Sequence, residues 1–241
     1  MEISVLADVD AVAQAGATFI ASEAKAAINA RGRFVMAVSG GHTPWLMLRA
    51  LGRESVQWDA VHVAQVDERI APAGDAARNL THLRESLLAH APLPPEHIHA
   101  MSVECSDLEA AAAQYERTLQ DIAGSPPVLD LVHLGLGADG HTASLVPADP
   151  VLKVTDADVA LTAVYQGNRR MTLTYPILNR ARRVLWLVTG AEKAEALRRL
   201  RAGDTSIPAG RVRSERAFVL ADRTAVGEPH GALKAEPARR A

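Results

Sequence analysis

An aspartate and a histidine stand two positions apart in the segment Leu134-Gly135-Leu136-Gly137-Ala138-Asp139-Gly140-His141-Thr142. An imidazole, with an ordinary pKa of about 6.5, can accept a proton from water at neutral pH, and a neighbouring carboxylate can fix its tautomer and direction. The run Leu129 to Leu136 just before them is almost wholly apolar and reads as a central parallel strand covered on both faces. Open α/β sheets bind ligands at the C-terminal ends of such strands. Gly135, Gly137 and Gly140 allow a sharp turn and a close approach of backbone to ligand. The plain alternative is a strand-to-helix turn in which Asp139 caps a helix and His141 is solvated.

Three further segments carry groups suited to an anion. Arg33 to Val38 reads as a strand, and Ser39-Gly40-Gly41-His42-Thr43-Pro44 leads from it into the apolar-periodic Trp45 to Leu51. Pro44 suits the first helical position and Thr43 can cap; the free amides of a helix start, carrying roughly +0.5 of a charge, make a site for phosphate. Val61 to Val66 is β-rich and ends in Asp67-Glu68-Arg69, with Asn79 at a later helix start. Alone, Asp67 and Arg69 read as an exposed ion pair contributing about 0 to 1 kcal/mol. The fourth segment holds Arg170-Met171-Thr172-Leu173-Thr174, the strand Val184 to Thr189 and Gly190-Ala191-Glu192-Lys193-Ala194. A lysine at a helix start opposes the macrodipole, so a bound anion explains Lys193 better than helix stability does. Neither an ATP loop of the Gly-x-x-x-x-Gly-Lys-Ser/Thr type nor a dinucleotide fingerprint occurs, so neither ATP nor NAD is indicated.

Taken together, the four segments resemble the 6-phosphogluconolactonase family. Gly135 to Pro147 is similar to its Gly-x-Gly-x-Asp-Gly-His-Thr-Ala-Ser-Leu-Phe-Pro signature, with Val146 where phenylalanine is usual. Ser39 to Pro44 resembles its Ser-Gly-Gly-x-Thr-Pro, Asp67 to Arg69 its Asp-Glu-Arg, and Asn79 its Ser-Asn, with Arg78 replacing the serine. Arg170 to Thr174 and Gly190 to Ala194 resemble its Arg-x-Thr-x-Thr and Gly-x-x-Lys-Ala. The resemblance implies hydrolysis of 6-phospho-D-glucono-1,5-lactone to 6-phospho-D-gluconate in the oxidative pentose phosphate route, with no cofactor. Its implied catalytic residues are His141 as general base, Asp139 orienting it or contacting substrate, and Arg69 facing the oxyanion or the phosphate. Ser39, Gly40, Gly41, Thr43, Asp67, Asn79, Arg170 and Lys193 would bind substrate and phosphate, Arg170 being favoured over Arg169 by spacing. An aminosugar-phosphate isomerase or deaminase of the same superfamily, with Asp67 moving the proton, is the alternative; those enzymes place a glutamate after Asp-Gly-His, which this chain lacks. A sugar-phosphate-binding regulator without turnover is the non-enzymatic one.

The elements that must position these groups alternate along the chain. Strands are expected near Ile3 to Leu6, Phe34 to Val38, Val61 to Val66, Leu129 to Leu136, Ala160 to Val164, Val184 to Thr189 and Ala217 to Leu220. Helices are expected over Val12 to Ala30, stopping at Gly32, and over Asp107 to Ile122 with Tyr115 in its buried stripe. That pattern predicts a three-layer, doubly wound α/β fold (Rossmann-like), its one mostly parallel sheet carrying helices on both faces. The 241 residues suffice for a single domain over 1–226, with 227–241, rich in Ala, Pro, Gly and charge, as a flexible tail. A net charge of −2 and an aromatic content of 4% give no nucleic-acid footprint, so the arginines at 198, 199, 201, 211, 213 and 216 read as solvated faces. His97 and His99 lack a convincing third ligand, so no metal is expected. A single cysteine, Cys105, suits a reducing cytoplasm; no apolar stretch approaches the roughly 18 residues a membrane span needs. The expected partner is a phosphorylated sugar lactone, and the oligomeric state is not set by these features.

Overall fold

A computed structural model describes residues 1–228, so all but the start of the expected tail at 227–241 lies outside the described residues. The strands are β1 (Glu2–Leu6), β2 (Phe34–Val38), β3 (Val61–Gln65), β4 (Asp67–Arg69), β5 (Ile98–His99), β6 (Leu131–Gly135), β7 (Val159–Leu161), β8 (Arg170–Leu173), β9 (Val184–Val188) and β10 (Ala217–Asp222). The α-helices are α1 (Val9–Arg31), α2 (His42–Leu51), α3 (Asn79–Leu83), α4 (Leu108–Ala123), α5 (Tyr175–Arg180) and α6 (Ala194–Arg201). Seven strands form a wholly parallel sheet in the order β1-β10-β9-β6-β2-β3-β5.

Alternation along each strand builds the layers. Phe34, Met36 and Val38 of β2 and Leu185 and Leu187 of β9 pack beneath α1, α2 and α3, while Val35, Ala37, Val184, Trp186 and Val188 face the layer holding α4, α5 and α6. Helix α1 begins where Asp8 accepts a hydrogen bond from the Ala11 amide (2.9 Å) and ends at Gly32, whose φ of 75° is left-handed. Tyr115 is core: its buried hydroxyl hydrogen-bonds the Gln65 backbone. No helix among the described residues is long and apolar enough to cross a membrane.

The expectation of a single sheet requires correction. Beside the parallel sheet stands a three-stranded antiparallel one, ordered β4-β8-β7. The strand expected at Ala160 to Val164 is the short β7, paired antiparallel to β8 rather than joining the parallel sheet. The reason is connection length: a parallel neighbour needs a crossover of a dozen or more residues, whereas only a short loop separates Leu161 from Arg170. Val66 joins the two sheets. Its amide donates to the Val38 carbonyl (3.0 Å) on the parallel side, and its carbonyl accepts from the Leu173 amide (2.8 Å) on the other. This switch carries Asp67-Glu68-Arg69 out of the parallel sheet into register with β8, Asp67 opposite Thr172 and Arg69 opposite Arg170.

Candidate active site

At the C-terminal ends of β2, β6 and β9 a cavity of about 790 Å³ opens, lined among others by Ser39, Gly40, Gly41, Thr43, Asp67, Arg69, Asn79, His141, Arg170 and Lys193. Of the catalytic and binding residues expected from the sequence, only Asp139 does not line it; Asp139 stands behind His141. The His141 Nδ1 lies 2.6 Å from Asp139 Oδ1, and the His141 amide donates to the same oxygen at 3.1 Å. The carboxylate is therefore an acceptor for Nδ1–H, which leaves Nε2 as the nitrogen with a free lone pair. Burial works to raise the Asp139 pKa, but the amide, charge and ring hydrogen bond of His141, with a hydrogen bond from Tyr165, outweigh it and hold the carboxyl below its ordinary value. No helix follows this turn, so Asp139 caps none. Gly137 must be glycine because a Cβ there would lie 2.5 Å from Asp139 Oδ1 and nearer still to the imidazole.

The loop after β2 differs in detail from expectation. Gly41, not Thr43, is the N-cap of α2, no side chain caps the helix, and Pro44 stands third in it. Thr43 instead pairs its hydroxyl with that of Thr189 (2.7 Å), tying this loop to the one after β9. The uncapped helix start leaves its first amides available to an anion. Gly40 and Gly41 also serve different needs: Gly41 has a left-handed φ of 125° with its Cβ direction open to within 3.5 Å of Pro44, whereas Gly40 is covered directly by Asn79. A side chain at position 40 would thus strike Asn79, and at Gly41 the constraint is backbone strain.

Asp67 and Arg69 do not form the exposed ion pair that their spacing suggested. Asp67 is buried and accepts from the Ser144 hydroxyl (2.6 Å), while Arg69 Nη1 donates to Asn79 Oδ1 (2.5 Å) and the Ala77 carbonyl (3.1 Å). Asn79 is fixed in turn by its Nδ2 donating to the Asp67 carbonyl (2.9 Å). The middle residue of the triplet, Glu68, is fully buried and receives the Asn79 and Leu80 amides (2.7 and 2.8 Å), anchoring the start of α3. Arg78 is structural, paired with Glu68 (3.1 Å) and Glu104 (2.7 Å).

Arg170 is buried, and its Nε has no hydrogen-bond partner. Burial first, then the charge of Arg69, lower its pKa, with Asp67 and Tyr165 acting in the opposite direction. Such an unpaired buried cation is costly unless an anion completes it. Arg169 points elsewhere, its Nε donating to the Thr162 carbonyl (3.3 Å). Lys193 closes a 3₁₀ turn, Ala191–Lys193, ahead of α6 and borders the same cavity.

Four residues at the site are assigned no role by the sequence. His133, inside β6, accepts from the Ser39 amide through Nδ1 (3.3 Å), and burial pushes its pKa down to about 3. A lone histidine within an apolar strand run was the available signal. Ser144 holds Asp67, and Asp222 at the end of β10 accepts from the Gly190 amide (3.2 Å). Tyr165 donates to Asp139 Oδ2 (3.2 Å), meets the His141 ring edge-on (centroids 5.8 Å apart) and has the Arg170 guanidinium 5.0 Å from its ring centre. Away from the site, His62 Nδ1 and His99 Nε2 lie 3.1 Å apart with ring centres 5.3 Å apart. The nitrogens therefore point at one another along a shared hydrogen bond instead of converging on a third point.

The sequence matches the family described as glucosamine-6-phosphate isomerases/6-phosphogluconolactonase over residues 7–220. It is 41% identical over 175 residues to a 6-phosphogluconolactonase of Synechocystis sp., covering 71% of this chain and 72% of that one. To a 6-phosphogluconolactonase of Mycobacterium tuberculosis it is 35% identical over 240 residues, covering 94% and 97%. Among solved structures, a 6-phosphogluconolactonase from Thermotoga maritima superposes with a TM-score of 0.82 at 27% identity, over 92% of this chain and 98% of that one. A monomeric glucosamine-6-phosphate deaminase shares the fold, with a TM-score of 0.81 at 20% identity over 94% and 99%.

Proposed function

The chain belongs to the glucosamine-6-phosphate isomerase/6-phosphogluconolactonase family, and we propose that the cavity is the site at which it hydrolyses 6-phospho-D-glucono-1,5-lactone to 6-phospho-D-gluconate, the lactone step of the oxidative pentose phosphate route. One observation carries this reading: a single cavity has a buried guanidinium with an unpartnered Nε, Arg170, at one side and the hydrogen-bonded Asp139–His141 couple at another. The substrate has the matching ends, a phosphate dianion and an electrophilic carbonyl.

In this reading Arg170, Lys193 and the open start of α2 after Ser39-Gly40-Gly41 hold the phosphate, with charge-assisted hydrogen bonds replacing water. Arg69, opposite Arg170 in the strand register, supplies the second guanidinium of the site. His141 Nε2 takes a proton from water as the water oxygen adds to the lactone carbonyl. Asp139 stabilises the resulting imidazolium through Nδ1–H. The tetrahedral alkoxide then collapses, the ring C–O bond breaks, and the imidazolium returns its proton to the departing ring oxygen. The products are the open-chain hydroxyl and the carboxylic acid, and no step requires an organic cofactor because the lactone is already activated.

A cytoplasmic location is part of the same proposal, supported by a lone cysteine, Cys105, that is exposed and free. The deciding experiment follows freshly prepared lactone by acid release in a pH-stat. Decay faster than the spontaneous reaction, saturable in the phosphorylated lactone and in proportion to enzyme, is the expected result; decay at the buffer rate would overturn the reading.

A further inference from the structure

Tyr165 sits at the tip of the hairpin joining β7 to β8. Its backbone exchanges hydrogen bonds with Asn168 (3.0 and 3.3 Å) across Gln166 and Gly167, both left-handed at φ 50° and 84°. Two successive left-handed residues make a type I′ turn, the tight reversal whose twist fits a hairpin. The strand leaving this turn begins with Arg170. The tip is thus held by the sheet that also carries Asp67 and Arg69, and is placed over the Asp139–His141 turn.

Three contacts converge on this side chain. Its hydroxyl donates to Asp139 Oδ2, the oxygen left over once Oδ1 is engaged by His141, and no other described side chain reaches that atom. Its ring meets His141 edge-on, and its face lies near the Arg170 guanidinium, whose Nε has no hydrogen-bond partner. A cation 5.0 Å from the ring centre falls within the range of cation–π attraction. One residue therefore touches both the base couple and the phosphate-binding cation.

We propose that Tyr165 is a positioning residue for this reaction: its hydroxyl fixes the free edge of Asp139, so that the imidazole presents Nε2 to the cavity, and its ring steadies Arg170. The proposal rests on the lactonase reading of the site. The hydroxyl acts on charge as well as geometry. By donating to the carboxylate it spreads the negative charge, so Asp139 attracts an imidazolium less strongly than a bare carboxylate would. The other charged or titratable groups lining the cavity are His42, Asp67, Arg69, Arg170, Glu192, Lys193 and Asp222, and the substitution of the hydroxyl replaces none of them.

Two variants separate the two roles. Tyr165→Phe keeps the ring and removes the hydroxyl, so kcat should fall about 3- to 10-fold with KM little changed. The acidic limb of its pH–rate profile should move to higher pH, because the carboxylate left behind favours the protonated ring. Tyr165→Leu should show the same kcat loss and, in addition, a rise of about 2- to 5-fold in KM for the phosphorylated lactone. The NMR titration of the His141 ring in the free protein, assigned with His141→Ala, should show its midpoint moving up in Tyr165→Phe, and this readout needs no substrate. If the parent fails to accelerate lactone opening, the lactonase reading falls while the NMR titration still decides the Tyr165–Asp139–His141 link. A Tyr165→Phe protein with parental kcat, acidic limb and ring titration overturns the proposal.

Discussion

Replacing Gly40 by alanine tests whether the loop after β2 and the Arg69 side chain are one mechanical unit. An alanine Cβ at this position would lie 2.6 Å from Asn79 Cγ and closer still to its Oδ1, where carbon atoms ordinarily approach to about 3.5 Å. One partner must therefore move by about 1 Å. Asn79 has little room to yield, because its Oδ1 receives Arg69 (2.5 Å), its Nδ2 holds the Asp67 carbonyl (2.9 Å) and its amide is bound to Glu68 (2.7 Å). Displacing the amide group breaks the Arg69 hydrogen bond, and a bond with a charged donor contributes about 1.5 to 3 kcal/mol. With tenfold for each 1.4 kcal/mol, kcat/KM in the pH-stat assay should fall by roughly 10- to 150-fold. A double-mutant cycle isolates the cause. Asn79→Ala alone should cost a similar factor, and Gly40→Ala should then cost almost nothing more, since the atoms it strikes are gone. Strictly multiplicative losses, or a Gly40→Ala enzyme at the parental kcat/KM, would refute the coupling.

Other expected outcomes bear on the remaining parts of the site. His141→Ala should lower kcat by about 10²- to 10⁴-fold with KM little changed, after correction for spontaneous opening; a near-parental kcat would move the base role elsewhere. Arg170→Ala and Lys193→Ala should each raise KM for the phosphorylated lactone by roughly 10- to 150-fold and affect an unphosphorylated lactone far less; equal losses on both substrates would remove these cations from the phosphate site. Buried His133 has its folded-state pKa pushed down to about 3 against an ordinary 6.5, so its contribution is intact above pH 6.5 and lost as the pH falls toward 3, at about 1.4 kcal/mol per pH unit. Urea unfolding between pH 7 and pH 4 should show this slope reduced in His133→Asn; an unchanged slope would assign the acid sensitivity to other groups, such as His62, whose pKa burial lowers to about 4.

What could be read from the sequence was whatever depends on a few adjacent residues. The Asp139-Gly140-His141 turn, the glycine loop and the lysine after β9 each sit in one contiguous segment at a strand end, where local pattern and site coincide. Six of the seven parallel strands showed themselves as apolar runs, the two-residue β5 being too short to leave a pattern, and α1 was marked by its terminal glycine. The antiparallel sheet escaped because β4 and β8 are short and carry charged residues, which look like loop chemistry until Val66 is seen bridging two sheets. Tyr165 escaped for a similar reason. Its partner Asp139 lies 26 residues earlier, and only the hairpin geometry brings the two together. Thr43 offered a cap by type, but a tertiary hydroxyl partner, Thr189, engages its side chain instead.

The opposition of Arg69 and Arg170 across adjacent antiparallel strands bears on how such a protein responds to selection. Like charges directly opposite one another weaken a sheet, and here one of them is also buried with an unpartnered nitrogen. Before substrate arrives, the centre of the site works against the fold around it. An apolar residue of similar length at Arg170, such as methionine, removes the repulsion and the buried charge together. Breeding this protein for heat tolerance alone would therefore reward the loss of Arg170, and, with the role proposed for Arg170, the hardiest survivors would be those least able to hold a phosphate. On the same proposal, thermal selection carried out with a phosphorylated ligand present would reverse the incentive, because an anion held by Arg170 would turn the liability into a bond.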